Sequence, residues 1–437
     1  MEDLALGHRD KRRTFPRRSV QEYDLTQDAR PCRFCDAPLR TTFVDLGASP
    51  LANSFLEPVQ LQRMEPFFPL HAYICDRCLF VQLEELESPE AIFRDYAYYS
   101  SYSDTFLAHA KAYCEAVSER FTIDERSRVV EIASNDGYLL RNFVEAGVPV
   151  LGIDPAANVA RVAVGNGVPT MVEFFGEALA RKLRDGEKGA DLIVANNVLA
   201  HVPDLHDFVE GIRILLRPGG VMTVEFPHLM RLLEENQFDT IYHEHFSYFS
   251  FLTAERILAK HGIVVFDVEE IDTHGGSLRV YGRHDEDGSK PVGPRVEELR
   301  TREISKGLDR IETYLCFADR VAHTKREFLA FLIDQKNQGK SMVAYGAAAK
   351  GNTLLNYCGI GTDFFDYIVD RSPHKQGLFL PGSRIPILAP ERIRETRPDY
   401  VVILAWNLKD EVMESLRDVR GWGGRFVVPI PRIQVFE

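Results

Sequence analysis

The stretch Val129–Leu140, VVEIASNDGYLL, decides how this chain is read. Its first four residues, ending at Ile132, make a short buried strand. The small and polar run that follows is a tight turn, and the apolar residues after it open a helix. A turn of this build brings backbone N–H groups and a helix N-terminus against a bound cofactor. It is not the dinucleotide fingerprint, because the places that G-x-G-x-x-G keeps for glycine hold Ala133, Asn135 and Tyr138. Asn tolerates positive φ better than other non-glycine residues, so a left-handed turn survives the exchange.

Outward from this stretch the pattern alternates strand and helix. Val148–Ile153 is a second strand ending at Asp154, about twenty residues past the turn. An acid there accepts hydrogen bonds from ribose hydroxyls in nucleotide-binding α/β folds. A further strand from Asp191 runs into Asn196, Asn197 and His201, at the end where ligand crevices open, and Arg217-Pro-Gly-Gly turns into a strand over Val221–Phe226. These features resemble the class I S-adenosylmethionine (SAM) methyltransferases, whose motif I reads hydrophobics–Glu–x–Gly–x–Gly–x–Gly. Glu131 takes the acidic slot, Ala133 and Asn135 stand at the first two glycine positions, and Gly137 keeps the third. The resemblance implies that Glu131, Ala133, Asn135, Gly137, Asp154, Asn196 and Asn197 contact SAM.

At 437 residues the chain needs two or three cores. A net charge of −13 argues against a nucleic-acid binder, and no apolar run is long enough to span a bilayer, so no nucleic-acid or membrane partner is expected. The basic cluster HRDKRRTFPRRS near the start has no apolar stretch behind it and reads as a disordered tail over residues 1–30 of a cytoplasmic protein. Four of seven cysteines form two C-x-x-C pairs, Cys32/Cys35 and Cys75/Cys78, separated by about forty residues. Four thiolates so paired suit a closed, structural, tetrahedral Zn²⁺, and a small domain gains the staple its core lacks. Cys114, Cys316 and Cys358 read as small buried hydrophobes.

The segment Phe93–Asp104, FRDYAYYSSYSD, crowds Tyr and Ser together; it either lines a ligand pocket or fills a seam between domains. Thr105–Phe121 has helical spacing. In FDTIYHEHFSYFS, Tyr242-His243-Glu244-His245 lacks the spacing of a zinc-protease helix. On a strand His243 and His245 share a face, on a helix they do not. The segment supplies either a general base with a neighbouring acid or a polar cap. His274-GGSLRVYGR is a glycine turn feeding a strand, with Ser277 open to a ligand and Arg279 either a ligand contact or an ion-pair partner. After helices over Arg295–Gln338, MVAYGAAAKGNTLLN from Met342 is a second strand–turn–helix. It fails the Walker pattern, yet Lys350, the Gly351 backbone and Thr353 at a helix N-terminus suit a pyrophosphate. Asp370 ends the next strand and mimics the acid of a dinucleotide fold.

Together CRFC, CDRC, YAYYSSYS, EIASNDG, YHEH, HGGSLR and YGAAAKGNT resemble the nucleotide-sugar C-methyltransferases of deoxysugar biosynthesis, from Cys32 to the C-terminus. The fold class this implies is α/β: a class I SAM methyltransferase Rossmann-like domain (89–290) between a small N-terminal zinc-binding domain (31–88) and a C-terminal Rossmann-like α/β domain (291–437) that clamps a nucleotide sugar. The implied reaction is methylation of carbon 3 of a dTDP-linked 4-keto-deoxyhexose, in natural-product (antibiotic) or surface-glycan biosynthesis, by a monomer or weak oligomer. His245 is the implied base, with Glu244 and Tyr242 beside it and Tyr96 and His201 as further members; His243, His274, Ser277, Arg279, Lys350, Asn352 and Thr353 face the sugar nucleotide. The 4-ketone acidifies the carbon 3 proton, the base forms an enolate that attacks the SAM methyl, and His201 or Tyr96 donates to the enolate oxygen. An O- or N-methyltransferase on a small polyhydroxylated acceptor, a non-catalytic zinc scaffold, and a C-terminal domain that binds NAD are the competing readings.

Overall fold

The computed structural model describes residues 30–93, 100–102, 104–186 and 189–437. The basic tail over 1–29 and Tyr96 lie outside the described residues. Strands β1 (Thr41–Ser49), β2 (Phe68–Ile74) and β3 (Val81–Leu83) form an antiparallel meander. Along β2, Leu70, Ala72 and Ile74 are buried while His71 and Tyr73 are less so, the period of two that a one-sided sheet requires.

The central sheet holds β4 (Val129–Ile132), β5 (Val150–Ile153), β6 (Thr170–Met171), β7 (Ala190–Asn196) and β8 (Leu216–Pro227), all parallel. The chain then leaves this sheet: β9 (Ser247–Tyr248) pairs with β3 and becomes the fourth strand of the first sheet. It returns as β10 (Ile263–Ile271) and β11 (Ser277–His284), with β11 antiparallel between β8 and β10. The order β10-β11-β8-β7-β4-β5-β6 is the class I SAM methyltransferase sheet. All four residues of β4 are buried, as a central parallel strand covered on both faces must be. The order reverses at β4 and β7, so the ligand crevice opens beyond their carboxyl ends.

A third sheet, β12 (Met342–Tyr345), β13 (Ile368–Val369), β14 (Ile387–Leu388), β15 (Tyr400–Ile403), β16 (Arg425–Val428) and β17 (Gln434–Phe436), runs in the order β14-β13-β12-β15-β16-β17. It is parallel except at β17, a second Rossmann-like sheet. One apolar core runs from the first sheet into this third unit; Phe43 of β1 stacks on Phe317 with centroids 4.7 Å apart.

Three expectations are corrected. Arg217-Pro-Gly-Gly is not a free turn before a strand but lies within β8, as an irregularity between the Ala190 and Leu192 pairings, with Gly219 at positive φ. Tyr242–His245 is neither helix nor strand but a tight turn, so His243 and His245 share no face. Cys114 and Cys358 are buried as expected, whereas Cys316 is exposed.

The turn after β4 keeps the shape its lost glycines would have given. Ala133, Asn135 and Gly137 have φ of 57°, 51° and 79°. A Cβ on Gly137 would sit 2.9 Å from Val168 Cγ2 as well as in a strained conformation. Gly137→Ala is therefore expected to cost about 1–3 kcal/mol. Ala133→Gly, which relieves a left-handed alanine, should leave stability unchanged or raise it by up to about 1 kcal/mol. Urea unfolding midpoints check both.

Candidate active site

Each cysteine pair sits in a knuckle of the same wiring. Asp36 N–H donates to Cys32 O (3.0 Å) and Leu79 N–H to Cys75 O (2.8 Å), while Cys32 N–H reaches Ala37 O (2.8 Å) and Cys75 N–H reaches Phe80 O (3.0 Å). Asp36 and Leu79, each just after a second cysteine, both take positive φ near 60°. The four Sγ atoms lie within 4.8 Å of one another, with Cys32–Cys78 at 3.6 Å and Cys35–Cys75 at 3.5 Å. A tetrahedral Zn²⁺ with four thiolates needs S–S edges of about 3.8 Å, so the donor set fits a closed structural metal.

At the switch point, Asp154 joins two turns: Oδ2 accepts from Asn135 N–H and Oδ1 from Ala156 N–H, both 2.9 Å. Asn135 Oδ1 and Asp136 Oδ2 in turn accept from Ser100 N–H (3.0 Å) and Ser101 N–H (3.1 Å), so these two serines cover the turn. Glu131 Oε2, Ser134 Oγ, Asp136 Oδ1, Asn196 Oδ1 and Asn197 Oδ1 are buried with no hydrogen-bond partner among the described residues. All five are oxygens at the ends of β4 and β7. A cationic ligand rich in donors, with an amino group, ribose hydroxyls and an adenine amine, completes such a set; the residues fit SAM. Burial, then the nearby Asp154 and Asp136 charges, push the Glu131 carboxyl well above its ordinary value.

The histidines gather beside this crevice. His245 Nδ1 lies 3.0 Å from Thr240 O and Nε2 2.8 Å from Tyr242 Oη. A carbonyl only accepts, so Nδ1 carries the proton and Nε2 presents a lone pair to the Tyr242 hydroxyl. Burial, then His201, hold the ring well below the usual imidazole range, and it is neutral. His201 stands edge-on to it, centroids 4.7 Å apart, and its Nδ1 donates to Glu244 O at 2.7 Å. Burial pushes His201 down to about 4. A neutral His201 of this tautomer has no proton at Nε2, so the expected role of donor to an enolate oxygen does not fit it.

Other expected residues go elsewhere. His243 turns to the first sheet, Nε2 donating to Pro69 O at 3.1 Å. The Glu244 carboxyl also turns away, accepting from Asn53 Nδ2 at 2.7 Å, and burial lifts it to about 7. Ser277 Oγ is spent on Thr273 O (3.0 Å). Arg279 is an ion-pair partner: Nη2 meets Glu225 Oε2 at 2.9 Å, and the guanidinium lies 4.4 Å from the Tyr113 ring centroid. Thr353 Oγ1 donates to Ile241 O (3.1 Å), which removes it from a phosphate cradle. Lys350 Nζ donates to Asn407 Oδ1 (2.7 Å) and sits 4.6 Å from the Trp406 ring centroid, while both polar side-chain atoms of buried Asn352 lack partners among the described residues. His274, at φ 56°, is pushed to about 4 by burial and then by Lys350. Asp370 repeats the Asp154 arrangement in the third sheet, with Oδ2 accepting from Ala347 N–H (2.9 Å) and Oδ1 from Ser372 N–H (2.8 Å). There, however, Lys375 Nζ fills the turn, donating to Ala347 O at 2.8 Å.

Several site residues escaped the sequence reading. Glu225, two residues before the end of β8, lies opposite Asn196; burial alone would raise its carboxyl, but His109 and Arg279 hold it at about 2. An acid inside the apolar strand VMTVEF was the available signal. Asp239 accepts from Trp406 Nε1 (2.7 Å), and burial, countered by Lys350, sets it at about 6. Trp406, one of two tryptophans, was the signal there.

Family models match residues 32–93 as a zinc binding domain, 106–268 as a methyltransferase domain and 272–431 as a C-methyltransferase C-terminal domain. C-methyltransferase NovU of Streptomyces niveus is 36% identical over 414 residues, covering 95% of this chain and 98% of that protein. A ubiquinone biosynthesis O-methyltransferase of Methylobacterium sp. (strain 4-46) is 34% identical over 97 residues, 21% of this chain and 38% of its own length. Among solved structures, magnesium protoporphyrin IX methyltransferase (ChlM) from Synechocystis PCC 6803 with bound SAM aligns over 44% of this chain and 88% of its own, at 15% identity and TM-score 0.31.

A cation bound against Glu131 favours its carboxylate, so a proton leaves as the ligand binds. SAM affinity should then rise as pH climbs above the ordinary glutamate value, and Glu131→Gln should flatten that slope. Calorimetry in buffers of different ionisation enthalpy reads the proton directly; proton uptake by the wild type would refute the assignment.

Proposed function

The chain belongs to the family of SAM-dependent C-methyltransferases, and from that premise we propose that it methylates carbon 3 of a nucleotide-linked 4-keto-deoxysugar with His245 as general base. The observation that carries this is the fixed tautomer: Thr240 O holds the Nδ1 proton, so Nε2 presents a neutral lone pair to the Tyr242 hydroxyl. An O-acceptor needs a base only for its hydroxyl proton and an amine needs none, so what sets C-methylation apart is loss of a carbon-bound proton. SAM, when bound, supplies a methyl group already activated on a sulfonium.

The residues then divide the work. A ketone next to carbon 3 makes its proton labile, and Nε2 takes it. The Tyr242 hydroxyl, which donates to Nε2 in the free protein, turns to the enolate oxygen once the sugar stands between them. Thr240 O on Nδ1–H and the enolate charge stabilise the imidazolium that results. His201 keeps Glu244 O in place. Lys350, Asp239, Asn352 and Asn407 form the polar wall on the side of the third sheet, where the nucleotide is held, with dTDP the expected carrier. The four cysteines would hold a zinc ion in a structural role, since the chain itself offers all four donors.

Two measurements test this. His245→Asn should abolish both methyl transfer and solvent deuterium exchange at carbon 3 of the sugar, and Tyr242→Phe should slow both by about 10²–10³-fold. Transfer by the wild type in D₂O to a carbon, with no exchange in the absence of methylation by His245→Asn, supports the reading; exchange retained by His245→Asn identifies another base, and methyl found on oxygen or nitrogen overturns the C-methyl assignment. Elemental analysis should give one zinc per chain, and Cys75→Ser should lose the metal and destabilise the first sheet.

A further inference from the structure

Arg33 stands inside the first knuckle, between Cys32 and Cys35, yet its side chain serves the turn that carries His245. Nη1 donates to Phe246 O at 2.9 Å, and the guanidinium lies 5.4 Å from the Phe246 ring centroid. The backbone N–H of Arg33 donates to Gln82 Oε1 (3.0 Å), and Gln82 Nε2 donates to Cys32 Sγ (3.2 Å), so the arginine is tied to the sulfur cluster at its other end. Phe246 directly follows His245.

The rest of the turn is held from the same side. Leu83 N–H donates to Phe246 O (2.9 Å), and β3 pairs Val81 with Tyr248 and Gln82 with Ser247. Asn53 holds Glu244 (2.7 Å), whose backbone oxygen receives the His201 proton, and Pro69 O receives His243 (3.1 Å). Tyr242–Phe246 has no helix or strand of its own; inside it His245 N–H donates to Tyr242 O (2.9 Å), and the partners on the first sheet fix how that turn is seated. A turn of this kind samples many conformations unless such contacts over-determine it.

We infer that Arg33 and Asn53 are positioning residues for the base: the first sheet, rigid about its cysteine cluster, is the frame on which the His245 imidazole is set. This rests on the reading of His245 given above. The metal domain is then part of the catalytic geometry rather than a separate module that only adds stability.

The test compares Arg33→Met and Asn53→Ala with the wild type in the zinc-loaded full-length protein. Arg33→Met should keep one zinc per chain and a SAM Kd within about twofold of wild type, while the His245 ring resonances, seen with isotope-labelled histidine and assigned with His245→Asn, shift or broaden. With dTDP-4-keto-6-deoxyglucose as probe, kcat should fall about 10- to 100-fold with little change in KM, the size of loss that a small misplacement produces. Should Arg33→Met lose zinc, Asn53→Ala, which carries no cluster contact, decides by the same resonances. His245 signals superimposable on wild type, with zinc and SAM binding intact, overturn the inference. If His245→Asn retains carbon 3 exchange while Arg33→Met still shifts the ring, the base assignment falls and the coupling stands.

Discussion

One carboxylate holds the central crevice open. Asp154 takes the backbone N–H of Asn135 on one oxygen and that of Ala156 on the other, and so locks the turn after β4 to the turn after β5. Three residues of the first turn sit in the left-handed region, two of them without the freedom of glycine. Such backbone persists only where its surroundings over-determine it. Asp154 on one side and the Ser100 and Ser101 amides on the other supply that restraint. The outcome is a turn with buried oxygens, Ser134 Oγ and Asp136 Oδ1, that have no partner among the described residues.

The imidazoles show how burial selects a protonation state. His201, His245 and His274 are all driven toward neutrality by loss of water, and each also feels a neighbouring cation or imidazole. Carbonyl oxygens then choose the tautomer at His201 and His245. Close by, Glu225 is kept ionised by Arg279 and His109 and pairs with them rather than competing for the proton. The charged group and the neutral groups are thus separated by their partners, not by distance along the chain.

Local pattern carried much of this into the sequence. Both strand–turn–helix units, the helix ending at Phe121 and the two cysteine pairs announce themselves within windows of a few residues. What stayed hidden depends on pairing between distant segments. Nothing near Ser247 says that two residues will cross to Val81, and a turn held from outside has no periodicity of its own. Likewise Thr353 looks free for a phosphate until Ile241, more than a hundred residues earlier, is seen to claim its hydroxyl. The side-chain direction of Glu244 and His243 is set by Asn53 and Pro69, which no local rule connects to them.

The two Rossmann-like sheets share a device and differ in what occupies it. At Asp370 the same two-amide grip recurs, but there the ammonium of Lys375 donates to Ala347 O, whereas Ser134 Oγ and Asp136 Oδ1 of the first turn have no partner among the described residues. A side chain thus supplies a donor at the turn of the third sheet that the described residues do not supply at the turn of the second. That turn therefore carries its own counter-charge, Lys375 Nζ lying 3.8 Å from Asp370 Oδ2, and needs none from outside the chain.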